Sequence, residues 1–215
     1  MEGRRLSRLD YAIINFDSAL RTVFGEPQVT ERANPAAGIV EEGSMSEEER
    51  RLSGCLMRVN HAGEVAAQAL YQGQALTARL TEVRQAMEGA AREENDHLAW
   101  CKQRVHELGT HTSYLNPFWY TGSLAIGSLA GIAGDKWSLG FVAETERQVV
   151  KHLERHLDRI PDQDAPSRTI LEQMQKDEAR HATVALESGG VELPTPVKAL
   201  MGIVSKVMTR TAYWV

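Results

Sequence analysis

One pattern occurs twice in this chain and narrows the folds that it can adopt. Glu64 is followed 30 residues later by a Glu-x-x-His motif, and Glu146 is followed 32 residues later by a second one. Residues three apart on a helix project to the same side, so each motif can present a carboxylate and an imidazole to one ion. Two helices per half predict a four-helix bundle around a pair of iron or manganese ions. The candidate metal ligands are Glu64, Glu94, His97, Glu146, Glu178 and His181.

Hydrophobic periodicity places both motifs on apolar helix faces. Apolar residues recur at helical spacing over 87–108, around the first motif, and over 171–186, around the second. Ionised carboxylates are costly on such faces unless they are paired or bound to metal. The pattern therefore favours a buried metal site over solvated surface charges.

The single glutamate of the second half has two candidates. Glu146 shares a stripe with Val142, Val149 and Leu153, whereas Glu144 falls among polar residues. Periodicity therefore selects Glu146. In the first half, Glu64 lies among small residues that let a neighbouring helix approach closely, namely Gly63, Ala66, Ala67 and Gly73.

Turn positions provide an independent check on the pairing of these helices. Ligands on antiparallel helices must lie at the same height, so the connecting turn is expected near their midpoint. For Glu146 and Glu178 the midpoint is residue 162, inside a segment rich in Pro and Asp over 160–167. For Glu64 and Glu94 it is residue 79, where 79–82 is a weaker break.

The remaining segments also have helical patterns, so the predicted fold class is all-α. A stripe through Leu9, Ile13, Phe16, Leu20 and Phe24 predicts a short amphipathic helix over 8–24 that packs on the bundle. Pro and Gly interrupt the periodicity over 25–45, and Ser46 with Glu49 forms a capping box at the start of the first long helix. We expect residues 1–45 to form an N-terminal helix and linker, and 46–215 to form the bundle domain. The predicted bundle helices span 46–79, 82–108, 136–160 and 167–188.

Composition excludes several other classes of protein. A net charge of -5 without a dense basic stripe argues against nucleic acid as a partner. Two cysteines, Cys55 and Cys101, are too few for a disulfide framework, so a reducing compartment is expected. We expect both side chains to be buried in the protein. No uninterrupted apolar segment follows the N-terminal arginines, so no secretory signal is predicted. No Gly-x-Gly-x-x-Gly motif occurs, so we predict no dinucleotide-binding site.

Two further segments are unusually apolar. No charged residue occurs between Pro117 and Asp135, and about 18 apolar or small residues lie at the short end of what spans a bilayer. Glycines weaken a spanning interpretation, which leaves a crossover helix across the bundle or in the membrane interface. The C-terminal segment after Pro196 predicts an amphipathic helix with basic residues beside its apolar face. The alternative for both is ordinary packing on the core. Together they favour a peripheral membrane protein or a channel for an apolar substrate.

These residues resemble a known family. The run Arg58-Val-Asn-His-Ala-Gly-Glu64, with both Glu-x-x-His motifs and Glu146, is similar to the demethoxyubiquinone hydroxylases of ubiquinone biosynthesis. The resemblance covers about residues 52–215, and the Arg-Val-Asn-His-Ala-Gly-Glu run is its most specific element because general ferritins and rubrerythrins lack it. It implies a ferritin-like bundle with an apolar crossover helix and an amphipathic C-terminal helix.

The resemblance also implies an activity. It would make the chain a di-iron monooxygenase that uses O2 to hydroxylate the ring of a polyprenyl quinol, a demethoxyubiquinol. Two Fe ions per chain are implied, one held by Glu64, Glu94 and His97 and the other by Glu146, Glu178 and His181, with some glutamates bridging. The expected location is the cytoplasmic side of a bacterial cell inner membrane, peripherally attached. Other proteins of ubiquinone biosynthesis and further copies of the chain are the implied partners.

Several residues near the motifs are candidates for supporting roles. Asp177 and Arg180 flank the second motif and could hydrogen-bond to metal ligands, or could be surface charges. His61 and His152 are candidates for contact with substrate or a proton path, and the alternative for each is a core or surface histidine. We expect three other histidines to lie on the surface: His106, His111 and His156.

Rival functions share the same ligand pattern. A ferritin-like ferroxidase or iron-storage protein would use the same helices, but has no need for a long apolar segment. A manganese catalase or a rubrerythrin-type peroxidase is a second alternative, although rubrerythrins usually add a domain with four cysteine ligands. A helical membrane scaffold whose repeated motif is accidental would bind no metal.

Overall fold

The computed structural model describes residues 7–30, 32–40 and 44–215, and this part of the chain is all-α, as predicted. The expectations for Met1–Leu6 and for Gly43 lie outside these residues. Within the described ranges there are seven helices and no strand. The helices are α1 Arg8–Phe24, α2 Glu47–Thr77, α3 Thr81–Glu107, α4 Asn116–Ala133, α5 Asp135–Leu157, α6 Ala165–Glu187 and α7 Thr195–Trp214.

Helices α2, α3, α5 and α6 form the predicted four-helix bundle. α2 pairs with α3 and α5 pairs with α6, and contacts between α3 and α6 bring the two Glu-x-x-His motifs together. Both predicted turns are present, since no helix covers 78–80 or 158–164. Antiparallel pairs joined by short turns are the geometry that places the ligands at one height.

Side-chain caps begin α2 and α6, and the cap of α2 is the predicted capping box. Ser46 accepts a hydrogen bond from the backbone N–H of Glu49, whose side chain accepts from the N–H of Ser46, so the predicted capping box begins α2. Asp164 caps α6 by accepting from the N–H of Ser167, with Pro166 in the first turn. These caps fix the ends of two of the ligand-bearing helices.

The crossover helix α4 lies along α2 in close contact. Gly127 packs against the backbone carbonyl of Leu70, Gly131 packs against Thr77, and Gly73 of α2 faces α4 in return. A Cβ atom at any of these three glycines would overlap the opposite helix. The glycines that weaken α4 as a membrane span are therefore the residues that allow its tight packing.

The N-terminal helix packs on the bundle through a different face from the one expected. Its inner side is formed by Ala19 and Val23, which contact a cluster containing Val65 and Tyr120. The predicted packing stripe faces outward instead, because Gln72 of α2 donates hydrogen bonds to both oxygens of Asn15, on the same side of α1 as Ala19 and Val23. All five members of that stripe are exposed: Leu9, Ile13, Phe16, Leu20 and Phe24.

Helix α7 lies across α2 and α5 and is held near both ends. Lys198 pairs with Glu144 and Glu192 near its start, and the buried Arg58 donates to the carbonyl oxygen of Tyr213 near its end. Most of its middle is apolar and exposed. Among the described helices, none has the length and apolarity needed to cross a membrane.

The two cysteines are free thiols. Cys101 is buried, as predicted, whereas Cys55 is only half-buried. The sequence expectation is therefore wrong for Cys55, which lies beside buried positions on α2 but still reaches solvent.

Candidate metal centre

All six predicted ligands are buried and meet at the centre of the bundle. α2 contributes Glu64, α3 and α6 contribute one Glu-x-x-His motif each, and α5 contributes Glu146. Ligand atoms of Glu64, Glu94, His97 and Glu178 all lie within 4.8 Å of one another. Glu146 lines the same cavity as Glu64, Glu94 and Glu178.

Glu94 and Glu178 lie between the two histidines. The two oxygens of Glu94 are each 3.3 Å from a histidine Nδ1 atom, one from His97 and the other from His181. Glu178 is placed in the same way, 3.0 Å from Nδ1 of His97 and 3.1 Å from Nδ1 of His181. These two carboxylates are therefore positioned to serve both halves of the site.

The two single glutamates differ in their surroundings. Oε2 of Glu64 is 3.6 Å from Nδ1 of His97. Glu146 instead accepts a hydrogen bond of 2.5 Å from the hydroxyl of the buried Tyr71. Sequence reasoning missed Tyr71, although a signal exists, because it lies seven residues beyond Glu64 on the same face of α2.

An acid outside the cluster contacts each histidine ring on its far side. Nε2 of His97 lies 3.0 Å from Asp177, and Nε2 of His181 lies 3.0 Å from Glu93. Each acid directly precedes the glutamate of the other motif. Arg180 pairs with Glu93 at 2.5 Å and lies 3.5 Å from Asp177. The structure thus gives Asp177 the expected contact with a predicted ligand, whereas Arg180 reaches only the two outer acids. It also adds Glu93, which sequence reasoning missed.

These outer acids determine which nitrogen can bind a cation. An Nε2–H that donates to Asp177 or Glu93 leaves the Nδ1 lone pair facing the four central carboxylates. Burial tends to lower the pKa of His97, but hydrogen bonds and charges of the surrounding acids outweigh it and raise the pKa. The same balance raises the pKa of His181 to about 11. The environment therefore favours positive charge at the cluster.

The pKa values of the carboxylates also reflect an excess of negative charge in the cluster. Burial, with the charges of neighbouring glutamates, raises the pKa of Glu64 and Glu146 well above the ordinary value. For Glu94 burial also acts to raise the pKa, but the imidazoles of His181 and His97 beside it hold the pKa below that value. Buried acids of this kind are stable when a cation offsets their charge.

The donor set fits a pair of metal ions. One oxygen each of Glu64, Glu94 and Glu178 is buried without a hydrogen bond in the described structure. Buried carboxylate oxygens rarely lack partners, so these atoms are suited to bind cations. Mostly oxygen donors with two imidazoles suit Fe(II) or Mn(II) better than copper or thiolate-binding metals.

A cavity of about 470 Å³ leads away from this cluster. Its inner end is formed by the four glutamates, and its walls come from α2, α4, α5 and α7. Asn60 and Trp119 line it, and the side-chain Oδ1 of the first and Nε1 of the second are buried without hydrogen bonds. The other wall residues are mostly apolar, among them Phe118, Ile126, Phe141, Val149, Leu153, Val197, Leu200, Met201, Val204 and Met208.

The other histidines occupy different settings. His152 lines the cavity, and burial, with Arg155 and Arg159 nearby, lowers its pKa to about 4. His61 is buried beside Asn116 and is not among the cavity-lining residues, and burial lowers its pKa to about 3. His106 is exposed, as expected.

Two histidines expected on the surface lie elsewhere. His156 is buried against the ring of His152, with centroids 3.9 Å apart. His111 is half-buried and stacks on Tyr114, at 4.4 Å between centroids. The surface prediction is therefore wrong for both, because their helix and loop are covered by neighbouring segments that the local pattern does not reveal.

Comparison with known proteins agrees with this geometry. The family model described as Ubiquinone biosynthesis protein COQ7 matches residues 51–212. A 3-demethoxyubiquinol 3-hydroxylase of Nitrosococcus oceani is 80% identical over 215 residues, which is 100% of both chains. The protein of that name from Nitrosomonas eutropha is 58% identical over 96% of this chain and 99% of its own length. The one from Legionella pneumophila strain Corby is 55% identical over 99% of this chain and 100% of its own.

The family match spans all six clustered residues, and the relatives match along nearly their whole lengths. The resemblance to the demethoxyubiquinone hydroxylases is confirmed, and the chain belongs to the family of the ubiquinone biosynthesis protein COQ7.

Proposed function

We propose that this protein is a 3-demethoxyubiquinol 3-hydroxylase, a di-iron monooxygenase of ubiquinone biosynthesis. Its substrate would be the ring of 2-polyprenyl-3-methyl-6-methoxy-1,4-benzoquinol, with O2 as co-substrate. The observation that carries the proposal is the position of the cluster at the inner end of a mostly apolar cavity. A storage site for iron has no need of such a cavity, whereas a quinol ring with an apolar tail does.

The six ligands would hold two iron ions, and bound iron supplies the activation of O2. Glu94 and Glu178 would help to hold both ions, since each lies near both histidines. The overall reaction replaces one ring C–H by C–OH and releases the second oxygen atom as water. It therefore needs two electrons and two protons from a reductant, either the quinol itself or an NADH-dependent donor.

The cavity wall would position the ring. Its apolar side chains exclude water from the reacting carbon, and the polar ring oxygens need partners within this wall. Trp119 Nε1 can donate to such an oxygen, and His152, neutral because of its lowered pKa, can donate or accept. The polyprenyl tail would leave between α4 and α7, whose residues form the sides of the cavity.

The outer surface of this region suits a lipid interface. Large apolar side chains that do not line the cavity are exposed on α4 and α7, including Leu129 of α4 at 66% and Ile203 of α7 at 58%. An exposed apolar surface of this extent marks a membrane or partner contact. We infer peripheral attachment at the cytoplasmic side of a bacterial inner membrane. Sedimentation with lipid vesicles tests this, and a protein that stays in the supernatant at every vesicle concentration would contradict it.

The decisive experiment uses Glu178→Ala in a strain that lacks its own hydroxylase. We expect the unhydroxylated quinone precursor to accumulate and ubiquinone to be absent. Glu172→Ala is the matched control, because Glu172 is an exposed carboxylate on the same helix. Normal ubiquinone with Glu178→Ala would contradict the assignment. Purified protein that turns Fe(II) into a mineral core without hydroxylating a quinol would instead support iron storage.

A further inference from the structure

A segment outside the family match lies against the metal centre. Residues 28–30 and 32–34, here called the strap, run along the outer side of α3. Asn95 donates to the carbonyl oxygen of Gln28 at 3.1 Å. The backbone N–H and the hydroxyl of Thr30 donate to the carboxylate of Asp96 at 2.7 and 2.6 Å. Asn95 and Asp96 are the two middle residues of the first Glu-x-x-His motif. The motif therefore holds the strap through the residues between its two candidate metal ligands.

Arg32 of the strap reaches further, toward the histidine of that motif. Its Nη2 atom donates to Oδ2 of Asp177 at 2.6 Å, and its guanidinium lies 5.1 Å from the ring centroid of Trp100. Both residues contact His97. Nε2 of His97 is 3.0 Å from the same Oδ2 atom, and the rings of His97 and Trp100 have centroids 5.3 Å apart. Arg32 therefore contacts two of the side chains that border the imidazole, both of them outside the central cluster.

The other oxygen of Asp177 has different partners. Oδ1 accepts from Gln173 at 3.2 Å and lies 3.5 Å from Arg180. These contacts come from α6 itself and fix one end of the carboxylate. Oδ2, the atom that faces His97, is fixed by Arg32.

Within the described part of the chain, no residue outside the bundle supports the second histidine in this way. His181 contacts Glu93, and Glu93 contacts Arg180, so the three residues belong to the bundle helices α3 and α6. For His97 the arginine comes from the connector that precedes α2. The bundle alone therefore completes one half of the site, whereas the other half depends on the strap.

We propose that Arg32 is a positioning residue of the metal centre, which fixes the Asp177 carboxylate and thereby aims Nδ1 of His97 at the metal pair. The proposal rests on the metal site of the proposed function. Acceptors that hold the outer nitrogen of a metal-binding histidine typically contribute 10- to 100-fold in metal affinity. The strap is then a functional part of the site rather than a passive linker.

The test is anaerobic titration of the full-length metal-free chain with Mn(II), followed by electron paramagnetic resonance. We expect wild-type protein to bind two ions, and Arg32→Gln to weaken one of them by about 10-fold while the other is unchanged. Arg32→Lys should recover part of the loss, since it keeps the charge but not the planar contact with Trp100. Asn34→Ala is the matched control: it removes a strap hydrogen bond to Gln103, 3.0 Å in length, without touching Asp177.

The outcomes separate this proposal from the proposed function. Wild-type protein that binds no ion pair would overturn both. Two ions bound by wild type, with unchanged affinities in Arg32→Gln, would overturn only the role of Arg32. An equal loss in Asn34→Ala would also overturn it, since general loosening of the strap would then explain the effect. In an Asp177→Asn background, Arg32→Gln should have little further effect, because the carboxylate through which it acts is gone.

Discussion

His97 and His181 make the same kinds of contact, with Glu94 and Glu178 at Nδ1 and with an outer acid at Nε2, but the two sets of contacts differ in burial. His97 is fully buried, and its outer acid Asp177 is nearly so, whereas Glu93 beside His181 is only partly covered and Arg180 is half exposed. A charge pair in a buried setting is screened less by water and salt than one at the surface. The comparison indicates that the His97 half is the more rigid and the more costly to disturb, and the His181 half the more accessible.

The largest expected effect comes from the glutamates that the halves share. Glu94→Gln removes a carboxylate that reaches both histidines, so we expect both ions to be lost and hydroxylation to be undetectable. Glu64→Gln, on the His97 side alone, should abolish binding of one ion and leave the second measurable. Metal analysis after gel filtration distinguishes these results. Equal metal contents in the two variants would show that the halves are not joined by Glu94.

The next prediction compares the outer acids. Asp177→Asn should weaken metal binding by about 10- to 100-fold, and Glu93→Gln by less, because solvent can replace the partly exposed Glu93 but not the buried Asp177. Mn(II) titration of each variant measures this, with the exposed Glu172→Gln as control. A larger loss for Glu93→Gln would reverse the proposed order of the two halves.

The convergence of the candidate ligands could be predicted from sequence because the helical spacing within the motifs agrees with the position of a turn between helices. Glu94 and His97 are three apart on an apolar face, and the turn at 158–164 lies near the midpoint between Glu146 and Glu178. Spacing of this kind is local, and helix geometry turns it into position directly. The four bundle helices and the convergence of all six candidate ligands follow from it.

The supporting residues could not be predicted in this way. Arg32 reaches Asp177 across 145 positions, and nothing in the connector distinguishes that arginine from its neighbours. The α1 stripe shows the complementary limit, since Leu9 and Phe16 form an apolar face as predicted but the face is exposed. A hydrophobic pattern tells which face is apolar, not which surface covers it.

A smaller effect is expected from the hydrogen bond that distinguishes Glu146 from Glu64. Tyr71→Phe removes the hydrogen bond to Glu146, so the metal-free protein should lose about 2 kcal/mol in free energy of unfolding. Urea unfolding at neutral pH measures this. Tyr11→Phe, at an exposed position of α1, is the control and should leave stability unchanged. Equal stability of Tyr71→Phe and wild type would mean that Glu146 is no better supported than Glu64.

The smallest effect concerns His152 and His156, which have no acid partner among the described residues. Burial and nearby arginines lower the pKa of His152 to about 4, and burial, His152 and the same arginines lower that of His156 to about 2. The pKa values of His97 and His181 are raised instead. Unfolded histidines take up protons near pH 6.5, and the folded protein resists protonation of the lowered pair until lower pH. As the pH falls below 6.5, these two groups therefore destabilise the folded state.

Replacing one of these histidines should remove part of that acid sensitivity. Between pH 6.5 and 5.5, His156→Gln should lose less stability than wild type, by at most about 1 kcal/mol. A full proton over one pH unit would be worth about 1.4 kcal/mol, but an unfolded histidine is already half protonated at pH 6.5. Taking the difference between variant and wild type cancels the titration of the metal-free cluster, which both proteins share. Urea unfolding of the metal-free proteins at both pH values gives the measurement, with the exposed His106→Gln as control. Parallel losses in wild type and His156→Gln would show that His156 takes up its proton equally well in the folded and unfolded chain.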